Sequence, residues 1–196
     1  MIRTRSMAIG LLVLAGSAAV GRAQMPGSSR PISLVVSGGM TVPAGDLADL
    51  HDSGFHYDAS VIINIPGFPV ALRPEFSLTQ FKLKDPLGTG GGGYGSDDVT
   101  KMFAAMGNIE LPLAGGLYAI AGGGILSLSV PGAAPGGSAT DESEAKFTFD
   151  AGAGYRFKMG GIRGFLEARV GAASYEQGKF GFEKAQFIPF TFGLVF

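Results

Sequence analysis

The chain contains no cysteine and no tryptophan. No disulfide can hold it together, so stability must come from hydrogen bonding and packing alone. With only two histidines, His51 and His56, there is no Cys/His set of the kind that builds a zinc site. Charge is also scarce: Asp, Glu, Lys and Arg make up 16% of residues, split between 15 basic and 16 acidic. That balance lacks the basic excess a nucleic-acid partner requires. A convincing membrane-spanning helix is missing as well. The best imitation, Leu111 to Val130, carries no charge but includes Pro112 and Gly115, Gly116, Gly122, Gly123 and Gly124, with Ser127 and Ser129 at a period of two.

Glycine, by contrast, is abundant: 33 of 196 residues, well above the roughly 7% usual in globular proteins. Hydrophobic residues reach 46% but are spread thinly along the chain. Residues 1–23 read as a secretory signal, with Arg3 and Arg5 at its start, an apolar middle from Met7 to Gly21, and small residues before a cut at Gln24. Losing Arg3, Arg5 and Arg22 lowers the basic count from 15 to 12 against 16 acids, a net charge of about −4 for residues 24–196. Those residues form one domain.

The dominant signal is alternation. Ile32, Leu34, Val36, Gly38, Met40 and Val42 alternate with Ser33, Val35, Ser37, Gly39 and Thr41, as a strand with one apolar face does. The pattern recurs in seven more stretches, near Phe55–Ile65, Val70–Thr79, Val99–Leu111, Tyr118–Val130, Phe147–Phe157, Ile162–Val170 and Phe187–Phe196. In the fifth, the apolar face is Tyr118, Ile120, Leu126, Leu128 and Val130. The connections alternate between long, polar stretches (Pro43–Ser53, Leu83–Asp98, Pro131–Ala145, Tyr175–Lys184) and short turns (Pro66-Gly67, Pro112–Gly116, Lys158–Gly161). Each stretch is long enough for a tilted strand to cross hydrocarbon.

The last stretch is the most specific. Ile188, Phe190, Phe192, Leu194 and Phe196 fall at every second position, ending on the aromatic residue. Alternate large apolar residues with a terminal Phe resemble the closing strand of small bacterial outer-membrane β-barrels of the OmpA-like type. The resemblance covers residues 24–196 through pattern and topology. It implies an all-β fold, an eight-stranded antiparallel up-and-down transmembrane barrel with short periplasmic turns and long external loops. It also implies location in the outer membrane, contact with its lipid and lipopolysaccharide, and recognition of the terminal strand by the barrel-assembly machinery. A monomer without cofactors is expected. No segment corresponds to the peptidoglycan-binding domain of the two-domain members, and no single residue transfers a role.

Closure has a physical cause: lipid offers no hydrogen-bond partner, so every strand must find a neighbour. Phe55, Tyr57, Phe147, Tyr155, Phe157, Phe190 and Phe196 would form the aromatic girdle. The opposite parity places Asp58, Arg73, Glu75, Glu110, Asp150, Arg156, Arg163, Glu167 and Arg169 in the interior, where opposite charges must pair. In so narrow a ring these charges read as a salt-bridged plug, with a polar passage as the alternative.

Three further readings are open. Gly92 to Val99 fits a calcium-binding nonapeptide, but a single copy cannot build the shared cage. His56 and Ser60 lie on one face, as in a lipid-modifying hydrolase, yet strand residues four apart are about 13 Å apart. A secreted lipocalin-like barrel would reverse the faces, with apolar groups around a ligand.

Overall fold

In the computed structural model, which describes residues 31–82, 84, 99–130, 142–174 and 184–196, eight antiparallel strands pair in sequence order and the last closes on the first. They are β1 (Ile32–Ala44), β2 (Gly54–Asn64), β3 (Ala71–Lys82), β4 (Val99–Pro112), β5 (Leu117–Val130), β6 (Glu142–Met159), β7 (Ile162–Ser174) and β8 (Lys184–Val195). The closing ladder sets Val36 opposite Leu194 and Met40 opposite Phe190. The ring therefore has no free lateral edge along the ladder, as an apolar solvent demands. Two ladders are interrupted beside a proline: β2–β3 pairing skips the positions opposite Pro74, and β7–β8 skips those opposite Pro189. Proline has no N–H to donate there.

Sidedness follows the alternation. Phe55, Tyr57, Phe76, Phe103, Phe147, Phe149, Phe190, Phe192 and Phe196 all face outward and are exposed, Phe76 to 70%. Arg73, Glu75, Glu110, Glu167 and Arg169 are buried inside, Arg73 to within 1%. A lipocalin-like arrangement requires the reverse. An exterior this apolar is suited to hydrocarbon, not water. Of the expected girdle only Phe157 is half-buried; the others stand out from the wall.

The β5 strand departs from the expected sidedness. Tyr118, Ile120, Leu126 and Leu128 point into the lumen and are almost wholly buried, while Leu117, Ala119, Ala121 and Ile125 face out. Both faces of this strand are apolar, so hydropathy alone cannot orient it. The register does, because Glu110 opposes Ile120 and Met106 opposes Gly124, and directly paired residues share a face.

The elements also extend beyond the expected limits. The stretch Pro43–Ser53 is not all loop: β1 runs on to Ala44 and a short helix, α1 (Asp46–Leu50), follows. Asp46 and Asp49 lie in its first turn, where acids suit the helix dipole. Leu47, fully buried, anchors it over the barrel mouth. The β6 strand begins at Glu142, inside the expected third loop, and β8 at Lys184, inside the fourth. Leu111 to Val130 forms the end of β4, a turn at Ala114–Gly116 and β5. Gly115 and Gly116 take φ of 71° and 89° in that turn, a region glycine enters freely. No described helix is long and apolar enough to cross a membrane. The calcium-like motif lies outside the described residues except for Val99.

Candidate functional site

The lumen is organised in three layers. At the end bearing the long connections, Leu47, Phe81, Met102, Leu126, Leu128, Ala173, Ala185 and Phe187 form one apolar cluster, with Leu50 and Ala104 against it. At the short-turn end, Val35, Ile62, Ala71, Tyr118, Ile120, Phe165 and Val195 form another. The ionic side chains lie mainly between the two. Inward parity says nothing about this stratification.

Arg169 is the hub of the ionic layer. Its Nη1 donates to Glu75 Oε1 and Asp150 Oδ2, each at 2.9 Å; its Nη2 donates to Glu75 Oε2 at 2.8 Å and its Nε to Glu167 Oε1 at 2.7 Å. Arg73 is the second cation. It donates from Nη1 to Glu167 Oε2 at 2.8 Å and from Nε to Ser60 Oγ at 3.1 Å. Its Nη2 also lies 3.3 Å from Glu75. The same Glu167 oxygen accepts from the Tyr118 hydroxyl at 2.7 Å, so one carboxylate is shared by an arginine and a phenol. Arg156 pairs with Glu110. Charge-assisted, multidentate bonds of this kind are the arrangement in which buried ions can persist.

The network is locked to the lower apolar layer by aromatic faces. The Arg73 guanidinium lies over Phe165, 4.9 Å from the ring centre, and that of Arg156 over Tyr118 at 4.6 Å. Seven of the nine predicted charges thus make one connected constellation. Of the other two, Asp58 accepts from Ser37 Oγ at 3.3 Å, and Arg163 donates to Ser33 Oγ at 3.1 Å near the short-turn end. Ser60, read from the sequence only beside His56, Tyr118, read only as part of an apolar face, and Phe165 complete the constellation. Their parity shows which strands carry them, but only the register reveals which charge each meets.

His56 is buried inside the wall, with Nδ1 2.8 Å from Thr41 Oγ1, Nε2 2.9 Å from Thr191 Oγ1 and 3.5 Å from Asp58 Oδ2. Ser60 is bonded to Arg73, so His56 and Ser60 do not form a nucleophile–base pair. A small cavity of about 40 Å³, lined by His56, Asp58, Glu75, Asp150 and Arg169 among others, lies between the ionic layer and the upper cluster. It has room for only a few waters. Among the described residues, no group of three or more His, Asp or Glu is placed to hold a metal ion.

His51 does sit at the mouth, directly after α1. Its Nε2 is 2.9 Å from Thr100 Oγ1 and its Nδ1 3.3 Å from the Leu47 carbonyl oxygen, with the Phe81 ring edge-on at 5.9 Å. Burial holds its imidazole below the ordinary histidine range; Lys84 acts in the same direction and the Leu47 carbonyl against it.

No protein-family profile matches the chain, and no curated protein matches it. Solved structures do. Neisserial surface protein A is 11% identical with a TM-score of 0.53, the match covering 85% of this chain and 96% of that one. The N-terminal β-barrel domain of Pseudomonas aeruginosa OprF is also 11% identical, with a TM-score of 0.51, covering 85% and 98%. With near-complete coverage of both, a closed eight-stranded ring and an apolar exterior, the fold is that of the small eight-stranded outer-membrane β-barrels.

Proposed function

We propose that the protein is a monomeric, non-catalytic barrel of the bacterial outer membrane, whose long external connections carry a structural or surface-interaction role. Residues 1–23 are its export signal, and Ile188, Phe190, Phe192, Leu194 and Phe196 are the strand read by the assembly machinery. The nine inward charges serve as a structural plug. The observation that carries this reading is the stratified lumen, in which an ionic layer is closed above and below by apolar clusters. A continuous water path needs a polar lining from end to end, and neither cluster offers one. Cell fractionation followed by detergent extraction tests the location: the protein is expected in the outer-membrane fraction, and recovery in the soluble fraction defeats the reading.

The second reading is a narrow channel or small-molecule carrier, favoured by the cavity beside Asp150 and Arg169. Planar-bilayer recording separates the two, since steady openings that change in Arg73→Ala or Glu75→Ala support a channel and silence supports the plug. A lipid-modifying enzyme is the third. It predicts fatty-acid release from lipopolysaccharide that disappears in His56→Ala, and the Thr41 and Thr191 partners of His56 give it no support.

A further inference from the structure

On the outward face of the described strands, charge occurs at Lys82 of β3, Lys101 of β4 and Lys184 of β8, all exposed. All three are basic and all lie at the long-connection ends of their strands. The outward positions at the opposite end, among them Leu72, Leu111, Leu117, Met159 and Ile162, are uncharged. A lysine facing acyl chains costs about 2–4 kcal/mol at mid-depth and near zero at the interface, so these three mark the level of the external headgroups.

Two of them are neighbours. Lys101 is paired with Gln80 on one side and Ser129 on the other, and Lys82 lies two residues beyond Gln80 on the same face. Diagonal neighbours of this type have Cα atoms about 7–8 Å apart, close enough for two ammonium groups on four-carbon stems to converge on one anion. Neither lysine forms an ion pair among the described residues. The row just below, towards the middle of the wall, is Tyr57, Leu78, Phe103 and Ser127, with Tyr57 and Phe103 exposed. A paired cation above an aromatic shelf matches an amphiphile with a phosphate head and apolar tails.

We propose that Lys82 and Lys101, flanked by Gln80 and Ser129, hold a phosphate of a phosphorylated glycolipid in the external leaflet, its acyl chains lying against Tyr57, Leu78 and Phe103. The net charge of residues 24–196 is negative, so the patch is a local device and does not reflect a general basic surface. The inference rests on the outer-membrane reading but fails separately from it.

The test titrates the full barrel, in neutral detergent, with diphosphoryl lipid A, with lipid A stripped of both phosphates, and with inorganic phosphate, and reads bound lipid by native mass spectrometry. Diphosphoryl lipid A is expected to bind the parent protein, and Lys82→Gln/Lys101→Gln to weaken it roughly 30-fold, two lysines at a membrane surface contributing about a fivefold factor each. Lys184→Gln, on the far side of the ring, is expected to leave that binding unchanged and serves as the charge control. Equal binding to the double variant, equal binding of the stripped lipid, or displacement by millimolar inorganic phosphate overturns the proposal. Folding of each variant is checked by its β-sheet circular dichroism. A protein that extracts from membranes yet shows any of these overturning results leaves the location intact and removes only the lipid site.

Discussion

At the scale of single residues the lumen depends on Arg169, which satisfies Glu75, Asp150 and Glu167 at once. Removing it leaves Glu75 and Glu167 with Arg73 as their remaining arginine and takes from Asp150 the arginine that donates to it. Breaking a buried pair by deleting one partner costs about 3–5 kcal/mol, chiefly through the charge left behind, so Arg169→Met is expected to lower the unfolding free energy by about that much in urea titrations of the folded barrel. Asp58→Asn, with Ser37 as its nearest hydrogen-bond partner, is expected to cost less than Arg169→Met in the same assay. His51 gives a pH-dependent counterpart at the mouth. Its folded pKa lies below the unfolded value because burial disfavours the imidazolium, so the folded state binds fewer protons as the medium acidifies. The linked stability is complete above about pH 6.5 and falls as pH drops below it towards the folded pKa. Comparing midpoints at pH 8 and pH 5 in the parent and in His51→Gln isolates this: the parent is expected to lose more stability on acidification, and equal losses refute the assignment.

Among the elements, α1 and β5 are the two that sequence reading misplaces, for different reasons. The α1 helix is five residues long, too short for a helical period to emerge from PAGDLADLHDS, and a helix of that size owes its stability to packing, not propensity. Its cause is Leu47 fitting the upper apolar cluster, a contact with residues distant in sequence. The β5 strand has a visible period but an ambiguous sign, because a lumen filled by Tyr118 and Leu126 and a wall exposed at Ile125 look equally apolar. The other strands were legible because one parity carried charges or hydroxyls, as with Arg73, Glu75, Ser77 and Thr79 on β3. Since α1 is held chiefly by Leu47 and by the Lys84 Nζ and N–H bonds to the Ala48 and Leu50 carbonyls at 2.6 and 2.9 Å, it is expected to open locally. In Leu47→Asp, amide exchange of residues 46–51 is expected to accelerate strongly while the β1–β8 ladder keeps its protection. Exchange that rises together in α1 and the ladder would show instead that the cap and barrel unfold as one unit.

For the whole molecule, strand number and connection asymmetry could both be read from the chain, because each follows from period-two patterning and from turn chemistry. The sealing of both ends could not, since it depends on which inward apolar residues share a level, and level is set by register. That stratification makes a definite prediction about permeation. The upper cluster and the lower cluster lie in series along the axis, with the ionic layer between them, so the resistance to ions is dominated by whichever remains closed. Truncating the upper cluster alone, by Leu126→Ala/Phe187→Ala, leaves Tyr118, Ile120, Phe165 and Val195 in place. Truncating the lower one alone, by Ile120→Ala/Phe165→Ala, leaves Leu47, Phe81, Met102 and Leu128. Each pair variant is therefore expected to stay electrically silent in planar bilayers, and only the fourfold combination is expected to produce steady currents, because only then can water wet the lumen from both mouths and reach the arginine–carboxylate layer. Each large-to-small change costs about 2–5 kcal/mol of packing, so the fourfold protein must first be shown to run as a folded species on unheated gels. Steady conductance from either pair variant alone would mean that one layer, and not two in series, closes the barrel.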